Sequence, residues 1–202
     1  MKLTQYTGGF VQTNGYLIET SEGNVLIDAP EGICDWLKSL GVEVGTVLLT
    51  HQHYDHVMDA NALQLTGARL HAFSDYSTEL TLETVARSWG MPIAVTPYQV
   101  DEILSMAGPV TFAGVEFQLA HVPGHSTDSI TFHLPDHGVV FSGDTLFAGS
   151  IGRTDLPGGN TKELLGGIAS KLMHLPIETR VLPGHGPETT IQAEKSGNPY
   201  LD

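Results

Sequence analysis

Basic residues are scarce: 9 lysines and arginines stand against 23 aspartates and glutamates in 202 residues, a formal charge of −14. A surface of that sign repels phosphate backbones and anionic headgroups, so neither nucleic acid nor a membrane is expected as a partner. Cysteine is nearly absent. Cys34 stands alone and cannot form an internal disulfide, so nothing calls for an oxidising compartment and a cytoplasmic location is expected. Long hydrophobic runs are missing as well: MKLTQYTGGF at the start lacks the apolar stretch of a secretory signal, and no later run approaches the ~20 apolar residues of a spanning helix. Charge is thin at 16%, below the ~25% of an average soluble protein. In its place stand 41% hydrophobic residues, enough for a proper core, and 23 glycines, which imply many tight turns.

Short apolar runs punctuated by glycine fill the first third. Residues 11–19, VQTNGYLIE, and 24–30, NVLIDAP, flank the turn SEG and predict a β-hairpin. GICDWLKSLG then sets Ile33, Trp36, Leu37 and Leu40 on one helix face, stopped by Gly41. VGTVLLT, residues 44–50, reads as a strand covered on both faces. ANALQLTG predicts a short helix ending at Gly67, ARLHAF the next strand, and residues 75–90 one further helix ending at Gly90. Between 109 and 142, PVTFAG, VEFQLAHV, SITFHL and GVVFSG return to strand patterning. TKELLGGIASKLMHL, 161–175, places Leu164, Leu165, Ile168, Leu172 and Met173 on one side of a helix; TRVLPGHG follows as a strand and loop, and PETTIQAEK as a last short helix. No linker or low-complexity tract intervenes, and the order of strands then helices occurs twice, before and after about residue 100. This predicts an α/β fold of two halves packed sheet to sheet with helices outside, a single domain over residues 1–202.

The chemistry concentrates in THQHYDH, residues 50–56, at the end of the buried VLL strand. His51, His53 and Asp55 alternate, so an extended chain points them the same way, and His56 joins them once the chain turns. Three further segments each set a ligand-type side chain in a glycine-bearing loop: VPGHS with His125, FSGDT with Asp144, and LPGHG with His185. The total is five histidines and two aspartates. Imidazole and carboxylate suit Zn²⁺ and Fe²⁺, and a catalytic site uses three or four such donors per metal with a position left open for water. Seven exceed one metal and suffice for two if a carboxylate bridges, with a shared water as the nucleophile of two-metal hydrolysis. Paired divalent cations would form a local positive spot in an acidic protein, so an anionic small substrate is compatible with the charge.

On these residues the chain resembles the metallo-β-lactamase superfamily over nearly its whole length. THQHYDH, PGHS, SGDT and PGHG occur in the superfamily's order, and NGYLIE followed by VLIDAP looks like its opening hairpin. The resemblance implies an αββα sandwich, two β-sheets packed face to face with helices outside and the metals at one edge. It assigns His51, His53 and His125 to one metal, Asp55, His56 and His185 to the other, and Asp144 to the bridge. Two Zn²⁺ per chain are expected, with iron or manganese as alternatives.

Lactamases of the superfamily lack the bridging aspartate of SGDT and some use a cysteine ligand; Asp144 is present and Cys34 lies in no ligand motif, so lactam hydrolysis is not expected. The stretch FSGDTLFAGSIGRTDLPGGN, with GHGPETTI and NPYL, is similar to small glyoxalase II-like hydrolases and to persulfide dioxygenases. The first likeness implies cleavage of a thioester such as S-lactoylglutathione by a metal-bridging hydroxide, with Asp55 or Asp144 to take its proton; ester and lactone hydrolysis are variants of the same chemistry. Full-size glyoxalase II enzymes add a helical C-terminal domain with basic residues for glutathione, whereas 17 residues follow His185 and Lys195 is the one base among them. The second likeness implies a single Fe²⁺ held by residues matching His51, His125 and Asp144, a facial triad suited to oxygen chemistry. Either way the partner is a small molecule; the sequence does not specify an oligomeric state. Arg153 beside Asp155 has two readings, a planar fork for a substrate carboxylate or an ion pair that shapes its loop. His121 is assigned a supporting role, and His71, His133, His137 and His174 have no ligand neighbours.

Overall fold

A computed structural model of the chain describes residues 1–106 and 108–201. The chain folds into two compact units, one comprising Met1–Leu104 with Phe112–Gly114, the other Ser105–Thr111 with Val115–Asp202. No helix among the described residues is long and apolar enough to cross a membrane.

The first unit is built on a six-stranded sheet whose strands lie in chain order: β1 (Lys2–Gly8), β2 (Thr13–Thr20), β3 (Gly23–Ile27), β4 (Thr46–Leu48), β5 (Arg69–Ala72) and β6 (Glu102–Ile103). The predicted hairpin is β2–β3, and β1 adds to it antiparallel. From β3 onward the pairing is parallel, as it must be once helices carry the chain back between strands. Those helices are α1 (Ile33–Leu40), α2 (Tyr54–Val57), α3 (Ala60–Leu65), α4 (Thr78–Thr81) and α5 (Glu83–Ser88). Ile33 and Leu37 of α1 enter the core with Leu17, Leu26 and Val47, whereas Leu40, the last member of the predicted stripe, is exposed. Gly41 ends the helix at φ 68, its N–H closing on Leu37 and Lys38 carbonyls. Residues 75–90 are not one helix. Leu82 takes φ 55 between α4 and α5, burying its own side chain and restarting the helix at Glu83, whose carboxylate accepts the Val95 N–H.

The second unit holds the first two residues of β7 (Val110–Phe112), then β8 (Val115–His121), β9 (Ile130–Leu134), β10 (Val139–Gly143), a small hairpin of β11 (Leu146–Phe147) and β12 (Ser150–Ile151), β13 (Arg180–Pro183) and β14 (Thr189–Thr190). Its six-stranded sheet runs β14-β13-β10-β9-β8-β7. α6 (Thr161–Gly167) forms part of the crossover between parallel β10 and β13, and α7 (Ile191–Gly197) follows β14. Asn160 caps α6 by accepting the Glu163 N–H. Leu164, Ile168 and Leu172 pack with Val122, Val140 and Val181, as the predicted stripe required. The helix does not stay regular to 175: past Gly166 and Gly167 it widens into π-helical turns over Ile168–Leu172. Gly167 lies so close to β8's end that a Cβ would stand 2.8 Å from Val122. Within PETTIQAEK, the two threonines pair with β13 before Thr190 caps α7.

Candidate metal centre

In the first unit β4 delivers the chain through Leu49 and Thr50 into His51, the kind of loop after a parallel strand where open α/β sheets carry their sites. His53 is still extended, with φ −57 and ψ 144, and α2 begins at the next residue, which turns Asp55 and His56 back beside it. The His51 ring lies 4.5 Å from that of His53 and 4.2 Å from that of His56, and His56 Nε2 is 3.4 Å from Asp55 Oδ2. All three histidines are buried. Gln52 between them is buried too, holding the Ser74 and Asp75 carbonyls and accepting the Tyr98 hydroxyl, so the HQH segment is fixed from behind.

The residue that sets the chemistry of this half is Asp28, at φ 60 just past β3. Its Oδ1 accepts the Thr50 N–H at 2.7 Å, its Oδ2 accepts the Thr50 hydroxyl at 2.8 Å, and the same oxygen stands 2.8 Å from His56 Nδ1. A carboxylate only accepts, so His56 carries its proton on Nδ1 and its lone pair on Nε2, the nitrogen that faces Asp55. Thr13, at the start of β2, donates its hydroxyl to Asp55 Oδ2 at 2.6 Å.

The second unit gathers three donors. Asp144 follows β10 and Gly143, which sits at φ 50, and one of its oxygens, Oδ2, is 3.4 Å from His125 Nε2 and 3.4 Å from His185 Nε2. His125 Nδ1 donates to the Arg153 carbonyl at 2.9 Å, which again places the lone pair on Nε2. Gly152 closes the arrangement at a position no side chain fits: a Cβ there would stand 1.9 Å from the Asp144 carbonyl oxygen and 3.1 Å from His125 Cβ.

Neutral imidazoles presenting Nε2, interleaved with carboxylates and mostly buried, are the donors a borderline divalent metal such as Zn²⁺ or Fe²⁺ accepts. Within each unit the candidate donors suit such a metal by their chemistry: His51, His53, Asp55 and His56 come together in the first, and His125, Asp144 and His185 in the second. Arg153 contributes its backbone carbonyl, while its guanidinium grips Asp155 through two 2.8 Å hydrogen bonds, drawing that exposed carboxyl down to about 2. His121 holds the Thr127 carbonyl at 2.8 Å, closing the loop that carries His125. His71 and His133 are buried, and burial lowers both pKa values; His137 and His174 are exposed. The supporting partners Asp28, Thr13 and the Arg153 carbonyl escaped sequence reasoning. Asp28 alone left a trace, a lone carboxylate closing the apolar run VLI.

Known proteins agree over the full length. The probable metallo-hydrolase YqgX of Bacillus subtilis is 34% identical, covering 100% of this chain and 98% of that protein. The hydroxyacylglutathione hydrolase GloC of Haemophilus influenzae is 34% identical over 95% of this chain and 93% of its own. Among solved structures, the BLEG-1 B3 metallo-β-lactamase superposes with a TM-score of 0.88 at 34% identity, covering 99% of both chains. TTHA1623 in a di-iron-bound form gives 0.84 at 39%, covering 98% of this chain and 100% of the other, and ETHE1 from Myxococcus xanthus gives 0.79 at 28%, covering 98% and 84%. The α/β architecture of two mixed sheets with helices is thus the metallo-β-lactamase fold, and since residues 8–185 also match the family profile, the chain belongs to the metallo-β-lactamase superfamily.

Proposed function

We propose that the seven donors hold two divalent metals and that the protein hydrolyses a small thioester, with S-lactoylglutathione as the type substrate. The observation that carries this is Asp144 Oδ2, which faces His125 and His185 at the same 3.4 Å. A carboxylate that bridges two metals needs a donor of each beside it. When bound, such metals supply Lewis acidity for the carbonyl and bring the pKa of a water toward neutrality. The chain's own residues do the rest. Asp28 and the Arg153 carbonyl keep His56 and His125 in the tautomer that presents Nε2. Thr13 pins one oxygen of Asp55. Asp55 and Asp144 are the carboxylates placed to accept a proton from the attacking water. Arg153 meets a substrate carboxylate only by exchanging Asp155, and the reading does not depend on it. The name of the Haemophilus influenzae relative supports a glutathione thioester.

A second reading, an iron-dependent persulfide dioxygenase using His51, His125 and Asp144, shares with the 39% identical relative only the metal, since that relative holds two irons rather than one. Elemental analysis of protein expressed with zinc and iron both available separates the two, followed by thiol release from a thioester panel that includes lactones and a chromogenic β-lactam. Close to two metals per chain with thioester turnover is the expected result. About one iron per chain, with oxygen uptake on glutathione persulfide and no thioester turnover, would replace the hydrolase reading.

A further inference from the structure

The small β11–β12 hairpin is framed by residues of the second unit's donor set. Asp144 lies two residues before it, and Gly152 and Arg153 follow it, the latter giving the carbonyl that orients His125. The two feet are tied together, Gly152 N–H to Thr145 O at 3.3 Å. Phe147, on its first strand, sets its ring 6.2 Å from that of His185. The tip is held by α7. Glu194, only 3% exposed, accepts the Gly149 N–H at 2.9 Å and the Asn198 side-chain amide at 2.7 Å on one oxygen, and the Thr189 hydroxyl at 2.6 Å on the other. Asn198 also donates to the Ser150 carbonyl at 3.0 Å. A carboxylate buried this deeply is costly unless every oxygen is satisfied, and here the donors that satisfy it belong to the hairpin tip, to β14 and to Asn198, the residue that caps the end of α7.

We propose that Glu194 and Asn198 are positioning residues: α7 clamps the 146–151 hairpin and, through its feet, fixes Asp144 and the Arg153 carbonyl that sets the His125 tautomer. This rests on the metal-binding reading above and extends it to residues that touch neither substrate nor metal. Partners one step from a ligand are typically worth about 10–100-fold in metal affinity; a clamp one step further out is expected near the low end of that range.

The test uses the full chain. Zn²⁺ affinity is measured by competition with a chromogenic chelator for the natural protein, Glu194→Ala, Glu194→Gln and Asn198→Ala, beside hydrogen exchange at the Gly149 amide. Thermal melts of the metal-free proteins report any loss of folding. The proposal expects Glu194→Ala and Asn198→Ala to weaken Zn²⁺ about tenfold and to speed Gly149 exchange. Glu194→Gln is expected to recover most of the affinity, since its carbonyl can still take Gly149 and Asn198 while its amide faces the Thr189 hydroxyl. If the natural protein binds Zn²⁺ and Glu194→Ala binds it within twofold, the clamp is overturned and the metal reading stands, whatever happens to the melting temperature. Should Glu194→Ala prove unfolded, Asn198→Ala decides by the same criterion. A natural protein that binds no metal overturns both.

Discussion

At the residue scale the decisive contacts are those that choose a tautomer. Asp28 sits in the left-handed region, which Asn also tolerates, so Asp28→Asn changes the chemistry without straining the backbone. Its amide oxygen can keep the Thr50 N–H, which turns the NH₂ toward His56 Nδ1 and drives the ring proton to Nε2. The expected outcome is a folded protein, by circular dichroism, whose metal affinity falls about 10–100-fold in chelator competition. Normal affinity in that variant would mean that Asp28 does not set the His56 tautomer. A different histidine is expected to contribute to acid sensitivity. His133 lies buried in β9 with no hydrogen-bond partner at either ring nitrogen, and burial pushes its pKa below the ordinary 6.5. The unfolded chain therefore takes up a proton that the folded chain refuses. The penalty is absent above 6.5 and grows as pH falls below it toward the depressed folded value, by at most about 1.4 kcal/mol per pH unit. Replacing His133 with Leu is expected to flatten the pH dependence of metal-free melting between about pH 6.5 and 5; an unchanged slope would assign the acid sensitivity elsewhere.

At the scale of elements, glycine placement yields predictions of opposite sign. Gly152 meets the backbone of Asp144, which cannot swing aside, so Gly152→Ala forces the β11–β12 feet apart and is expected to destabilise by about 1–3 kcal/mol or more and to lower metal affinity together with it. Gly166 lies exposed in α6 with open space around it, and Gly166→Ala is expected to raise stability by up to about 1 kcal/mol with metal binding unchanged. Urea melts with chelator competition check both. The same elements show where patterning was readable. The β2–β3 hairpin, α1 with its Gly41 stop and the Leu164, Ile168, Leu172 stripe announced themselves by period and punctuation, because each is decided within a few residues. The break at Leu82 did not, since a leucine at φ 55 is held there by burial and by Glu83 reaching Val95, contacts no local period encodes. The seven candidate donors stood out because they cluster in four short loops. The shell that orients them was not: Asp28 and His56, or His125 and Arg153, are 28 residues apart, and one of those contacts is made by a backbone atom without sequence identity.

At the scale of the whole molecule, the repetition of strands and helices about residue 100 foreshadowed two six-stranded sheets, and each unit carries part of the proposed donor set, four residues in one and three in the other. A metal that binds only the folded chain stabilises it by RT ln(1 + c/Kd), where c is the free metal concentration, about 2.7 kcal/mol at a free concentration one hundred times Kd. For a chain of this length that corresponds to a melting temperature about 5–10 °C higher than after chelation. If the seven donors serve one centre, His56→Ala and His185→Ala, one in each unit, are each expected to shrink this chelator-sensitive shift by most of its size, and re-adding Zn²⁺ should restore it only in the natural protein. The shift should also fade in mild acid, because imidazole binds metal only when deprotonated. A variant that keeps the full shift would remove its residue from the centre, and the assignment of two metals to seven donors would have to be redrawn around the remaining six.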